Sequence, residues 1–361
     1  MARFGDGVAL KFARSSNGME YSHKGDSLNR HLVDCNRNIR QAIRTASLLS
    51  VCLRESGYAR IRLIVLRQTS VPTMSYNIRL LISCPDKKGL IAAISSFIAM
   101  HNGNILSADQ YVSDQGADSR ETFFMRLEIQ GEGFGLERNE FGSAFAPLAR
   151  QHAMDWYVSY TDTPKRMAIL VSRYDHCLMD LLWRWKAGEL DAEIPLVVSN
   201  HPELRSRVEH YDVPFYHMPV TKDTKAEQES AMLGLLNEHR VDLVVLARYM
   251  QILTPKFVSA YPDRIINIHH SFLPAFVGAD PYRRAHERGV KIIGATAHYV
   301  TEELDAGPII HQDVTHVTHR YAVDDLVRVG REVEQRVLAR AVRWHLEDRV
   351  LADGRRTVVF E

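Results

Sequence analysis

The stretch RIINIHHSFLPAF, residues 264–276, sets an amide and an imidazole two positions apart, Asn267 and His269, where a short apolar run stops. Ile265 and Ile266 have the β-branched shape that suits a buried strand, and the polar residues and proline that follow end it. Side chains alternate faces along a strand, so Asn267 and His269 point one way, Ile268 enters the opposite layer, and His270 faces away from the pair. An amide that donates to a developing oxyanion, beside an imidazole that donates or shuttles a proton, suits acyl chemistry. Asn and His at a strand end also serve simply to satisfy loop backbone groups, and these two residues alone leave both readings open. A third candidate is Asp305 in GATAHYVTEELDAGPII, residues 294–310, where ATAHYV and GPIIHQDV read as strands and the acid falls between them. There it can orient His269 and activate water, or cap its own turn. The neighbouring Gly307 is expected to let the backbone come close to a ligand.

Placing these groups requires an open α/β sheet, in which ligands gather outside the carboxyl ends of the strands. MAILVS, IPLVVS, VDLVVLA and RIINI are continuous apolar runs, the pattern of strands covered on both faces, and helical stretches such as CLMDLLWRWKAG and TKAEQESAMLGLLNEHR separate them. Alternating strands and helices predict a Rossmann-like, mostly parallel sheet over residues 166–361, ending in a hairpin at Asp353-Gly354. Upstream, YNIRLLISC, KKGLIAAISSFIAMHNGN, ILSADQYVSD, ETFFMRLEIQ, a helix near Glu137 to His152 and DWYVSY follow as β-α-β-β-α-β, with a turn at Gly116. That order is a ferredoxin-like unit over residues 74–160, and TDTPKR supplies a linker at 161–165.

The balance of 45 basic against 44 acidic side chains lends no support to a nucleic-acid role, which shows as a basic excess. No apolar run approaches the roughly 20 residues of a membrane helix. Cys35, Cys52, Cys84 and Cys177 form no CxxC pair, which fits a reducing, cytoplasmic setting. From Met1 to Ser70 there are 12 Lys and Arg against 5 Asp and Glu. A basic, acid-poor leader can be a transit peptide; the plainer expectation for residues 1–73 is a weakly ordered extension, or sequence upstream of a start at Met74.

CPDKKGLIAAISSFIAMHNGNI resembles the first strand, turn and helix of an ACT domain. That resemblance implies paired domains, hence a homo-oligomer, and an amino-acid effector near Asp86, Lys88 and Gly89; a purely dimerising role is the alternative. The downstream segments resemble the folate-dependent formyltransferase family, whose catalytic residues stand as N-x-H on one strand and D-x-G-P-I on a later loop. The match assigns Asn267, His269 and Asp305 as catalytic. It likens LARYMQIL, residues 246–253, to the segment that receives the pterin ring, with Met250, Gln251 and Leu253 as substrate contacts and Arg248 as a neighbour. Members that act on a phosphorylated amine carry a glycine-rich loop after the first strand. Here no glycine lies between Val171 and Ala187, which points to water as acceptor. The reaction implied is hydrolysis of 10-formyltetrahydrofolate to tetrahydrofolate and formate, serving one-carbon metabolism and purine biosynthesis with no cofactor and no metal. An amine formyltransferase, or an amino-acid-binding regulator on an inactive fold, are the alternatives. His298 is a packing residue or a supporting one. His311, His316 and His319 fit no metal site and are expected in a solvated loop, and DPYRRAHERG, residues 280–289, is either a folate-tail contact or a solvated helix face.

Overall fold

A computed structural model of the chain describes residues 76–113, 121–273 and 281–361, and four strands before them. The chain divides into a unit Met1–Met74 and a unit Ser75–Glu361. In the first, Arg14–Ser15, Gly18–Glu20, Tyr58–Ile64 and Leu49–Glu55 lie side by side in that order as one antiparallel sheet. The rest of residues 1–73, where a weakly ordered extension is expected, and Gly116 with its expected turn lie outside the described residues.

The second unit opens with β1 (Asn77–Pro85), α1 (Leu90–Met100), β2 (Ile105–Ser113), β3 (Thr122–Gln130), α2 (Arg138–His152) and β4 (Asp155–Tyr160). The four strands pair antiparallel in the order β2-β3-β1-β4. Ile78, Leu80 and Ile82 on alternate positions of β1 meet Leu90, Ile94 and Ile98 of α1 and Phe141 and Phe145 of α2 in one apolar core. Helix α1 ends as Asn102 turns left-handed, φ 56°, and the Gly103 amide donates back to the Ile98 carbonyl at 2.9 Å; a Cβ at Gly103 would stand 2.5 Å from Ile98, which is why a glycine fits there. The other face of the sheet carries Arg126, only 2% exposed, whose Nε and Nη2 donate to the carbonyls of Asp348 and Glu347 at 3.0 and 3.2 Å.

The remaining elements are β5 (Lys165–Val171), α3 (His176–Lys186), β6 (Ala192–Glu193), β7 (Val197–Ser199), α4 (Arg205–Glu209), β8 (Phe215–His217), α5 (Lys225–Glu238) and β9 (Leu243–Leu246). After them come α6 (Pro255–Ala260), β10 (Ile265–His269), α7 (Pro281–Arg288), β11 (Ile292–Tyr299), β12 (Ile309–His316), α8 (Val323–Leu346) and a closing hairpin of β13 (Val350–Asp353) and β14 (Arg356–Val359). Strands β5 to β12 form one sheet in the order β8-β7-β5-β9-β10-β11-β12, with β6 beside β5.

Pairing is parallel from β8 to β10 and antiparallel from β10 to β12, so the expected α/β fold with a mostly parallel sheet is the one found. The two antiparallel strands β11 and β12 are joined by a loop too short for a crossover helix. Both faces are apolar: Ile169, Val245 and Ile266 face one core, Leu170, Val244 and Ile265 the other. After β5 the chain adds β7 and β8 on one side and then returns to add β9 on the other. The crevice between the carboxyl ends of β5 and β9 is therefore a topological switch point. Among the described residues no helix is long and apolar enough to cross a membrane.

Candidate active site

A cavity of about 590 Å³ opens at the carboxyl ends of β9 and β10. Asn267, His269 and Asp305 all line it, and so do Met250, Gln251 and Leu253. Asn267 and His298 face each other as direct cross-strand partners on β10 and β11. His298 donates from Nδ1 to the carbonyl of Tyr299 at 2.8 Å, which leaves Nε2 as an acceptor for the Asn267 amide at 3.2 Å. Beside His298 the pairing of β11 with β12 slips by one residue, a bulge of the kind that re-aims a side chain. His269 holds Asp305 through Nδ1 at 3.3 Å, so its Nε2 remains for the cavity, and Asp305 also stands 3.8 Å from His298.

The hydrogen bond from His269 is the main cause that keeps the Asp305 carboxyl below the usual carboxylate range, although partial burial opposes it. Burial depresses His298, which is thus neutral and free to accept from Asn267. These facts make a fixed amide donor, an oriented imidazole and an ionised acid in one polar corner.

Several sequence expectations need correction. His270 does not face away: β10 ends at His269, the pleat no longer governs the next residue, and the His270 ring stacks on His269 with centroids 5.3 Å apart, inside the same cavity. Burial, then the charge of Arg248, push its pKa down to about 4. Gly307 brings the backbone close to the protein, not to a ligand, since a Cβ there would lie 1.8 Å from the Tyr299 carbonyl. That close approach, with Tyr299 N donating to the Pro308 carbonyl at 2.9 Å, pins the loop carrying Asp305 against β11. Asp305 itself takes a left-handed conformation, φ 56°, which Asp tolerates better than most residues. His298, for which the sequence leaves packing and supporting roles both open, lines the cavity. His311 and His316 sit on β12 and not in a loop, with the His311 ring edge-on to Trp344.

The segment after β9 is held by Ser172 at the end of β5. Its amide donates to the Arg248 carbonyl at 3.2 Å, its hydroxyl accepts from Met250 N at 3.0 Å, and the hydroxyl donates to Asn200 at 2.7 Å. Met250 is half exposed and Leu253 is buried, so the segment offers a flexible apolar lip over a fixed backbone. Among the described side chains of helix α7 only Tyr282 reaches the cavity; Arg283, Arg284 and Arg288 lie on its exposed face, and Asp280 is outside the described residues. Asp86, Lys88 and Gly89 form an exposed turn before α1, where Gly89 has φ 92°, and they do not line this cavity.

The opposite wall was not foreseen. Glu334 of α8 is 1% exposed and accepts from His176 Nε2 at 2.8 Å and from the Tyr282 hydroxyl at 2.7 Å, with Arg248 Nη1 at 3.5 Å. Burial opposes its ionisation, yet the His176 hydrogen bond and the Arg248 charge outweigh it and keep the pKa low. His176, Cys177 and Glu334 lie close enough together to hold a metal. The Glu334 oxygens are already engaged and face a guanidinium, so the residues fit a polar network better than a cation site. A buried glutamate amid the apolar face of VDDLVRVGREVEQRVLARAV, one turn after Gly330, is the signal that could have found it.

Fold and site together define a formyl-transfer type of catalytic domain attached to an ACT domain. A profile described as formyl transferase matches residues 165–342, and one described as ACT domain matches 78–140. A formyltetrahydrofolate deformylase of Synechocystis sp. is 54% identical over 281 residues, 78% of this chain and 97% of the relative. The crystal structure of a formyltetrahydrofolate deformylase from Pseudomonas syringae superposes with a TM-score of 0.77 at 50% identity, covering 79% of this chain and 95% of that one. A glycinamide ribonucleotide transformylase from Symbiobacterium toebii is more distant, at 32% identity and TM-score 0.52 over 55% of this chain and 95% of its own. The chain belongs to the formyltetrahydrofolate deformylase family.

Proposed function

We propose that the protein hydrolyses 10-formyltetrahydrofolate to tetrahydrofolate and formate, using Asn267, His269 and Asp305 and no cofactor. The observation that carries this is the meeting of those three groups with His298 at the crevice beside the Met250 to Leu253 segment. Water held by the Asp305–His269 pair attacks the formyl carbon. The oxygen that develops negative charge takes hydrogen bonds from the Asn267 amide and from His269. The bond from carbon to the folate nitrogen breaks, that nitrogen takes a proton by way of His269, and formate leaves. Because His298 accepts from the Asn267 amide, the donor is aimed before substrate arrives and little reorganisation accompanies the charge change.

The relatives do not favour the two other readings, an amine acceptor or a regulator on a silent fold. The wider role we infer is formate supply for one-carbon metabolism and purine biosynthesis in the cytoplasm, by a homo-oligomer responsive to an amino acid near Asp86, Lys88 and Gly89. Support for assembly comes from β2, an edge strand that exposes Leu106, Tyr111 and Val112. The deciding experiment incubates purified protein with 10-formyltetrahydrofolate and no added acceptor. Equal release of formate and tetrahydrofolate is expected, and release only after an amine is added would overturn water as acceptor.

A further inference from the structure

We propose that Arg248 is the subsite for formate, the small planar carboxylate that the reaction above releases; the assignment rests on that reaction. Arg248 is only 9% exposed and lines the cavity together with Asn267 and His269. Its backbone is left-handed, φ 63°, a conformation unfavourable for a long side chain, and the hydrogen bond from Ser172 to its carbonyl holds it there. The result is a guanidinium turned inward over the Tyr174 ring, 5.2 Å from its centroid.

Two of its nitrogens, Nε and Nη1, are buried and have no hydrogen-bond partner. Buried donors in that state are costly, and the edge of a guanidinium formed by Nε and Nη2 is a fork shaped for a carboxylate. Glu334 does not complete the fork. Its carboxylate is 3.5 Å from Nη1, an ionic contact without a hydrogen bond, and its oxygens already accept from His176 and Tyr282. Even the room for that arrangement is built in, since a Cβ at Gly330 would stand 2.1 Å from the Tyr282 hydroxyl. The cation is therefore steadied by Glu334 at Nη1, while Nε, on the opposite edge that it shares with Nη2, is left without a partner.

The ligand class follows from charge and position. His270, stacked on His269, lines the same cavity as Arg248 and Asp305, so the guanidinium and the polar corner share one space. When water adds to the formyl carbon and the bond to nitrogen breaks, the departing acid loses its proton at neutral pH and becomes an anion. A neutral formyl group has no use for a full cation, whereas the product has. Beside Arg248 the anion meets a counter-charge, whereas beside the Asp305 carboxylate it is repelled.

The test titrates sodium formate into the full chain without turnover, read by broadening of the carbon-13 formate resonance, beside an independent assay of hydrolysis. Arg248→Gln is expected to weaken formate binding at least tenfold while changing tetrahydrofolate affinity less than twofold. Glu334→Gln, which frees the guanidinium from its counter-charge, is expected to tighten formate binding. Arg248→Lys, keeping charge without the fork, should weaken it at least threefold and serves if Arg248→Gln does not fold. Nitrate, planar and of similar size, should displace formate better than chloride does. Formate binding unchanged in a folded Arg248 variant, or loss of tetrahydrofolate affinity with formate affinity intact, overturns the subsite. Hydrolysis absent while Arg248-dependent formate binding persists overturns the reaction and leaves the anion site standing.

Discussion

Around the ACT core, Ile78, Leu80, Leu127, Phe97, Phe141 and Phe145 pack with no charged group among them, and Arg126 lies on the far side of the sheet, directed at carbonyls of the catalytic half. Around the crevice of the catalytic half, Arg248, His269, His298 and Glu334 are buried within one cavity wall or another. Both halves are sheets with helices, so the contrast does not come from architecture. It comes from where a buried polar group finds partners: strand ends and an adjacent helix supply them at the crevice, while the packed face of a small sheet supplies none. Substitutions in the first core should change stability without changing chemistry, and substitutions at the crevice should do the reverse.

The sharpest break of that contrast is Phe145→Ala. Phe145 is fully buried and meets Phe97 at 5.1 Å and Trp156 at 5.1 Å, so its loss should cost about 3 to 5 kcal/mol of unfolding free energy, measured by urea titration. Turnover per folded molecule is expected to stay near wild type; a parallel loss of both would erase the distinction. Asn267→Ala is the mirror experiment. Removing one oxyanion donor should lower kcat by about 100- to 1000-fold, roughly 3 to 4 kcal/mol, while the melting temperature moves little. A folded variant with a near wild-type rate removes Asn267 from the chemistry.

Next in size is an acid effect confined to the catalytic half. Burial holds His270 at about 4, below its ordinary value of 6.5, so below pH 6.5 the unfolded chain takes up a proton that the folded chain refuses. Stability is therefore complete above pH 6.5 and declines as pH falls towards 4, by roughly 3 kcal/mol from this group. Melting curves of His270→Gln should lose that slope. The smallest effect expected is Arg126→Met, which leaves the carbonyls of Glu347 and Asp348 without that donor and should cost about 1 to 3 kcal/mol in the same titration.

Much of this was legible from local pattern. The continuous apolar runs gave the parallel strands because a strand covered on both faces has no polar side to alternate. The two-residue spacing of Asn267 and His269 placed them in one cavity because the pleat holds through His269. It failed one residue later, at His270, where the strand ends and no periodic rule applies. Glu334 was hidden for a different reason. Its partners His176, Tyr282 and Arg248 come from α3, α7 and the segment after β9, and only the closed sheet brings them to α8. Gly307 was read with the right property and the wrong neighbour, since sequence records that the backbone comes close to something without naming what.

Helix α8 carries Glu334 at the crevice and ends about 18 Å further on, at Leu346. There its last carbonyls and Asp348 receive Arg79, Arg126 and Lys165, two of them from the ACT sheet. The ACT sheet thus supplies part of what closes the terminus of the neighbouring domain. Cutting the chain at the junction would therefore take two donors away from that terminus, so the catalytic domain does not carry all of its own support.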